Sequence, residues 1–245
     1  MRFLPSWAPL LGLALGLFLL PATAGAAVQV PDGFPPAGTI TYDVWRQGSQ
    51  IGTHSVEFTR DGDKLTVRTR IRIEVKLLFV TVYRFEHDAE EDWIDGKLMR
   101  FAAQTDDNGT DRDVLLERDG DKLKGRYKAP DHTEQALLPG DLIVCSLWNP
   151  ATPDQTTMIE PTKGRPKAVT VVDRGLEKIQ VGTRTVEARH YSITGDLRRE
   201  VWYGPDGEVA QVQYPNKDGT VLIFKLRDGP AAAPDAAPGS TAAKP

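Results

Sequence analysis

Two histidines fall on the apolar side of predicted strands. His54 has the same parity as Phe58, and His87 has the same parity as Phe85 and Trp93. Because successive side chains of a strand point to opposite faces, both imidazoles should lie among apolar side chains. An imidazole in that position can be a general base, a metal ligand, a ligand contact or a hydrogen-bonded core residue. No His-x-His or HExxH spacing occurs in the sequence, so we expect no metal and no cofactor.

The other reactive side chains have no spacing that specifies a reaction. Cys145 precedes Ser146 in an apolar stretch without a G-x-S-x-G or cysteine-protease pattern, which predicts a buried free thiol. Adjacent acids at 90–92 and 106–107 would point to opposite faces of a strand, so a glycosidase-like pair does not follow. The stretch 106–111 lacks the glutamate that closes a calcium loop and is typical of a hairpin.

The composition is that of an ordinary globular protein with a weak charge. The 245 residues include 30 Lys and Arg against 34 Asp and Glu, which gives a net charge of −4. Without a basic block the chain has no electrostatic attraction for phosphate backbones, and we expect no nucleic-acid partner. A single cysteine and no CxxC pair exclude a disulfide scaffold and a zinc ribbon.

The amino-terminal end has the pattern of a signal peptide. Residues 10–20 form an uncharged stretch of eleven residues after Arg2, too short to span about 30 Å of hydrocarbon. Small residues at 22–26 provide a cleavage site, so we predict a signal peptide over 1–26 and export to the periplasm or beyond. Since the only cysteine is Cys145, far from the cleavage site, the protein should not be a lipoprotein. After removal of the signal peptide we expect it to be soluble and without a transmembrane segment.

Composition divides the rest of the chain into three parts. Residues 27–37 are a proline-rich lead-in, and residues 229–245 are an alanine- and proline-rich stretch without large apolar side chains. Such a stretch cannot bury enough surface to fold, so we predict a disordered tail. Residues 38–228 are predicted to form a single domain.

The hydrophobic period inside that domain is two. Residues 64–76, KLTVRTRIRIEVK, alternate apolar and charged side chains, as a half-buried antiparallel strand does. The same alternation recurs at Thr39–Arg46, Ser55–Thr59, Thr81–Trp93, Val169–Asp173, Arg198–Tyr203 and Thr220–Leu226. Asx-Gly pairs between the runs favour tight hairpin turns. We therefore predict an all-β, mainly antiparallel fold: one meandering, strongly curved sheet of about 11–13 strands, forming a half-barrel or open barrel.

One long segment, 127–165, interrupts the alternation and carries five prolines. Its apolar stretch 137–148 should be buried across the concave side or an open end of the sheet, as a fixed plug or as a mobile lid. This segment is also the one place where helical turns would fit.

A second irregularity is an apolar stretch at 76–82. Because a strand of twenty residues is rare, we expect a turn near Leu78 and Phe79 that leaves an apolar cluster near a rim. The four rim residues are Leu77, Leu78, Phe79 and Val80. Exposed, they would contact lipid or a partner, and buried under 127–165 they would be core.

Aromatic residues suggest where a ligand would lie. The tryptophans remaining after export are Trp45, Trp93, Trp148 and Trp202, which either pin hairpin ends or line a mouth of the sheet. The residues that we expect to line a ligand pocket are His54, Tyr83, Phe85, His87, Trp93 and Trp148.

Scattered motifs carry a resemblance to a known family. These motifs are Gly48-x-x-Ile51-Gly52-x-His54, Val80-Thr-Val-Tyr-Arg-Phe-Glu-His87, Trp93-x-Asp-Gly-x-Leu98, Asp107-Asn-Gly109, Trp148-Asn-Pro150, and Thr194-Gly-Asp-Leu197 with Trp202-Tyr203. In them the chain resembles a family of exported proteobacterial proteins catalogued as a domain of unknown function. More distantly it is similar to the Lol lipoprotein carriers, whose half-barrels wrap an apolar cavity. That resemblance implies a fold and a ligand class, and no catalytic residue.

Three functions from different classes fit these observations. The first, which we favour, is a non-catalytic binding module that holds a lipid or acyl chain in the concavity of the sheet, and it predicts a continuous cavity. The second is a cell-envelope assembly or interaction module with a filled core and an exposed apolar patch. The third is an enzyme in which His54 and His87 converge on a carboxylate in an open cleft.

Overall fold

The computed structural model describes residues 37–216 and 219–227. The predicted signal peptide at 1–26, the lead-in as far as residue 36 and the predicted tail at 229–245 lie outside these residues.

The described residues form one antiparallel sheet of fourteen strands, as the period of two predicts. The strands are β1 Gly38–Arg46, β2 Ser49–Asp61, β3 Lys64–Leu77, β4 Val80–Ile94, β5 Lys97–Asp107, β6 Thr110–Asp119, β7 Lys122–Lys128, β8 Thr133–Pro139, β9 Thr157–Ile159, β10 Pro166–Val181, β11 Arg184–Gly195, β12 Arg199–Tyr203, β13 Val209–Pro215 and β14 Val221–Leu226. A 3-10 turn, η1, covers Thr152–Asp154. Neighbours in the chain are neighbours in the sheet, except where β1 pairs with β14 and between the two edge strands, β8 and β9. The sheet is not closed into a barrel.

The turns follow the predicted chemistry. Asp95 and Gly96 have φ of 50° and 69°, and Asn108 and Gly109 have φ of 53° and 86°. Two consecutive residues with positive φ are what a type I′ hairpin requires, because their twist matches that of the flanking strands. These short connections set the register of the long central strands.

The register places both predicted histidines in one row across the sheet. His54 on β2 lies opposite Ile71 on β3, which lies opposite His87 on β4. His87 in turn lies opposite Thr105 on β5. Since neighbouring strands are about 4.8 Å apart, the two imidazoles stand on the same face with one residue between them.

One apolar cluster joins this inner face to the chain between β8 and β10. We call residues 140–165 the cap segment. Leu142, Val144 and Leu147 of the cap segment are buried in that cluster, together with Trp148. The prediction that the apolar stretch 137–148 is buried holds for 142–148, whereas Leu137, Pro139 and Asp141 are exposed and 137–139 belong to strand β8 of the sheet itself. The segment 127–165, predicted to be a long connection without strands, contains β8 and β9. Strand β8 has one buried residue of seven, so its sequence shows little apolar alternation.

The turn predicted near Leu78 and Phe79 is present. Strand β3 ends at Leu77 and β4 begins at Val80. The cap segment does not cover this hairpin end: Leu77 and Val80 are about two thirds exposed, Leu78 is 87% exposed and Phe79 is 100% exposed. We call these four residues the apolar tip. In the described part of the chain, no helix has the length and hydrophobicity needed to cross a bilayer.

Candidate functional site

A cavity of about 230 Å³ lies between the inner face of the sheet and the cap segment. Its apolar walls include Ile71, Phe85, Phe101, Val144, Tyr214 and Phe224. Its polar and ionisable lining includes His54, His87, Glu91, Cys145, Ser146, Glu160, Thr162 and Arg199. A few polar groups set into an apolar wall are typical of a small-molecule site.

A larger depression, of about 760 Å³, lies on the outer face. Three of its four arginines are paired with acids: Arg68 and Arg100 with Glu90, and Arg70 with Asp88, each at 3.0 Å. This depression is open to solvent, and most of its arginines are already paired. We therefore take the smaller, capped cavity as the candidate site.

His87 is held rigidly in the cavity wall. Its ring is 3% exposed, and Nδ1 is hydrogen-bonded to Thr105 Oγ1 at 2.8 Å. Burial lowers the pKa of His87 to about 4. The ring is therefore a neutral imidazole at pH 7, with its orientation fixed by the threonine.

His54 has no such partner. Its ring stacks on Tyr42 at 5.1 Å and meets the edge of Phe224 at 5.6 Å. Although part of the residue is accessible, Nε2 is buried and makes no hydrogen bond within the described residues. Burial lowers the pKa of His54 to about 3, with a further contribution from His87. A buried polar atom without a partner is costly, so this nitrogen marks a place for a water or a ligand atom.

Glu91 is the buried charge-bearing group of the site, at 2% exposure. The indole nitrogen of Trp93 donates to Oε2 at 3.0 Å, and the indole nitrogen of Trp148 donates to Oε1 at 3.2 Å. Burial raises the pKa of Glu91 to about 7, against the opposing effect of hydrogen bonds from Ser146 and the two indoles. Because Trp148 belongs to the cap segment, this carboxyl group joins the sheet to the cap.

Arg199 is the cation of the site. Its guanidinium carbon lies 4.2 Å from the centre of the Tyr214 ring, a cation–π contact. Its Nη1 donates to the carbonyl oxygen of Arg198 at 2.6 Å. Across residues 37–216 and 219–227 no carboxylate forms an ion pair with Arg199.

Cys145 is the predicted buried free thiol. It lines the cavity, and burial raises the pKa of the thiol to about 11. The thiol therefore stays protonated at neutral pH, and it is not activated as a nucleophile.

The cavity brings together only half of the predicted pocket residues. His54, Phe85 and His87 line it. Trp93 and Trp148 do not line it: their rings meet edge to face at 5.6 Å, and both donate hydrogen bonds to Glu91, which does line it. Tyr83 lies beyond the cap segment toward the apolar tip, where its hydroxyl donates to Asp107 Oδ1 at 3.0 Å.

Sequence reasoning missed Glu91 and Arg199, although the signal was present. Glu91 has the same parity as His87 and Trp93, and Arg199 has the same parity as the buried Val201 and Tyr203. Alternation thus placed both charged side chains on the inner face. A charged residue on an apolar face is rare and is itself an indication of a site.

The geometry required for acid–base catalysis by the two histidines is not present in the described part of the chain. His87 is bonded to a hydroxyl and His54 to nothing, while Glu91 is bonded to two indoles. His190 does contact acids, with Nε2 at 2.8 Å from Glu200 Oε2, but alternation with the buried Tyr191 puts it on the outer face.

No metal centre is indicated by the arrangement of ligating side chains. The described ranges contain no group of three or more His, Cys, Asp or Glu that could hold an ion.

The comparisons with known proteins show a fold and a family. The crystal structure of a beta-barrel-like protein of domain of unknown function DUF1849 from Brucella abortus superposes with a TM-score of 0.54 at 14% identity. The match covers 77% of this chain and 94% of that chain, and at 14% identity it is evidence of a shared fold only. No curated protein matches the sequence. The family model described as "Domain of unknown function (DUF6134)" matches residues 42–227. The expected membership of a family of unknown function is thus confirmed, and the chain belongs to the DUF6134 family.

Proposed function

We propose that the protein is an exported, non-catalytic binding module that holds one small apolar molecule, such as an acyl chain, in the capped cavity. The observation that supports this proposal is the cavity itself. Phe85, Phe101 and Phe224 offer it apolar surface, while Nε2 of His54 is left without a partner in the described structure. A packed core would fill that volume and satisfy that nitrogen.

The volume limits the size of the molecule. At about 30 Å³ for each water-sized group, 230 Å³ has room for about eight such groups. Sites for drug-sized ligands usually start at about 300 Å³. The geometry therefore favours a short chain, or the end of a longer one whose remainder leaves the cavity.

A fluorescent fatty-acid probe tests the proposal on the natively purified protein. Ser146→Phe places a ring in the cavity, and Ser146→Ala removes the same hydroxyl without filling the space. We expect the wild type and Ser146→Ala to bind the probe at one site, and Ser146→Phe to bind at least tenfold more weakly. Equal binding by all three proteins, or no binding by the wild type, would contradict a ligand in this cavity.

The apolar tip favours a second function, contact with an envelope protein. Leu78 has φ of 56°, a conformation that is unfavourable for a leucine and that an Asn-Gly pair would adopt at less cost. Its neighbour Phe79 is fully exposed. Leu78 and Phe79 are residue types that disfavour this turn but favour burial against another surface. Their exposure here therefore supports a contact role.

A photo-crosslinking amino acid at position 79 tests this second function in the producing cell. Position 176 is the matched control, because Leu176 is also an exposed leucine, at 62%. One discrete protein adduct from position 79, absent from position 176, is the expected result. The same adducts from both positions, or none from position 79, would contradict it.

A further inference from the structure

Two acids and one arginine line the cavity, and within the described residues the arginine is paired with neither acid. Lys167 Nζ lies 3.7 Å from Glu160 Oε2, and the hydroxyl of Thr162 donates to Glu160 Oε1 at 3.1 Å. Both carboxylate oxygens of Glu160 are therefore engaged. Glu91 is turned toward two indole donors. Arg199 forms no ion pair with an acid of the described residues, so its positive charge is available to a ligand.

A row of aromatic rings connects this cation to Nε2 of His54, which has no partner within the described residues. Arg199 stacks on Tyr214, whose ring centre lies 4.8 Å from that of Phe224. Phe224 in turn contacts the ring of His54. The cavity thus has a positive group at one end of an aromatic row and a buried, uncharged nitrogen at the other.

We propose that the ligand is a monoanionic amphiphile, a fatty acid of about eight carbons or a similar carboxylic acid, whose carboxylate is bound by Arg199 and whose chain lies along Tyr214 and Phe224. This inference rests on the proposed binding function and names its ligand class. An arginine fork presents paired donors to a carboxylate, and the pair gains strength where apolar walls exclude water.

His54 lies where the far end of the ligand's hydrocarbon chain would be, and it restricts the charge and polarity of the ligand there. Nε2 is buried, and the imidazole is neutral, so it adds no second positive charge. The site should therefore prefer one negative charge over two. A ligand that reaches His54 must offer a polar atom or leave a water there, because an unsatisfied nitrogen costs free energy.

Three molecules with eight carbons each separate the contribution of the head-group charge to binding from that of the hydrocarbon chain: octanoate, octanol and octylamine. Each competes with an uncharged fluorescent apolar probe for the natively purified protein at pH 6, first with the wild type and then with two variants. Arg199→Met removes the cation and keeps an unbranched side chain, and Arg198→Met is the matched control, because Arg198 is the exposed neighbour. The melting temperature of each variant shows whether it is folded.

We expect octanoate to displace the probe at least tenfold more effectively than octanol, and octylamine to be the weakest. Arg199→Met should remove the advantage of octanoate over octanol, and Arg198→Met should keep it. If octanol and octanoate compete equally and Arg199→Met changes neither, the anion inference is overturned while the cavity still binds a chain. If none of the three competes and the probe itself does not bind, the binding function fails with it.

Discussion

Ionisation of Glu91 should control the stability of the protein near neutral pH. Burial raises the pKa of this carboxyl group from 4.5 to about 7. Between these values the folded protein binds the proton and the unfolded chain does not, so the free energy of unfolding falls as the pH rises through this range. At about 1.4 kcal/mol per pH unit, the loss is about 3 kcal/mol.

The histidines act in the opposite direction over part of the same range. The pKa values of His54 and His87 fall from 6.5 to about 3 and about 4 because both rings are buried. The folded protein then binds fewer protons than the unfolded chain, so stability is lost as the pH falls below 6.5. The pH profile of the wild type alone therefore mixes both effects.

The variant Glu91→Gln separates the effect of Glu91 from that of the histidines. Both proteins contain His54 and His87, so the contribution of the histidines cancels when the free energy of unfolding of the variant is subtracted from that of the wild type. An amide offers one acceptor oxygen to two indole donors, so the variant should be about 1–2 kcal/mol less stable at pH 4.5. Urea unfolding followed by tryptophan fluorescence at pH values from 4.5 to 8.5 gives the difference at each point.

The free energy of unfolding of the wild type minus that of Glu91→Gln should fall by about 3 kcal/mol from pH 4.5 to pH 8.5 and change sign on the way. Glu90→Gln is the matched control, since Glu90 is on the solvent side and pairs with Arg68. If this difference for Glu91→Gln stays constant within about 0.5 kcal/mol across the pH range, the claim that burial raises the pKa of Glu91 is refuted.

Three further predictions concern the tip, a close backbone approach and His54. Phe79→Ser should change the free energy of unfolding by less than about 0.5 kcal/mol in urea, because the ring is fully exposed; a larger loss would place the tip in the core. Gly125→Ala should cost more than about 1 kcal/mol, because a Cβ would stand 1.8 Å from the Leu115 carbonyl oxygen; an unchanged melting temperature would contradict that approach. His54→Phe should resist acid unfolding between pH 6.5 and pH 4 better than the wild type, since the loss of stability caused by its lowered pKa is gone; equal midpoints by circular dichroism would show that His54 is not buried.

The strands could be predicted because each long strand has one buried and one solvated face. The alternation at 64–76 predicts β3, Lys64–Leu77, within one residue. Strand β8 was beyond this method, since an edge strand with one buried residue has little apolar face to alternate. The pairing of β1 with β14 was also beyond it, because local patterns carry no information on contacts between distant segments.

The site could be predicted only as far as the direction of side chains. Parity places His54 and His87 on the inner face, but their alignment through Ile71 depends on the register of three strands. A shift of register between Asp92 and Trp93 lies next to the hydrogen bond that Trp93 donates to Glu91, and sequence alternation does not reveal it. Which side chains face the cavity and which lie behind them depends on the cap segment, and its position is a matter of tertiary packing.

The central claim, a ligand in the capped cavity, is tested most directly by what the native protein carries. The full-length chain is produced in cells, purified without detergent and denatured, and the small molecules released are identified by mass spectrometry. We predict a stoichiometric apolar compound with one carboxylate, absent when Ser146→Phe fills the cavity. An empty wild-type protein that also takes up no fatty-acid probe would contradict the claim.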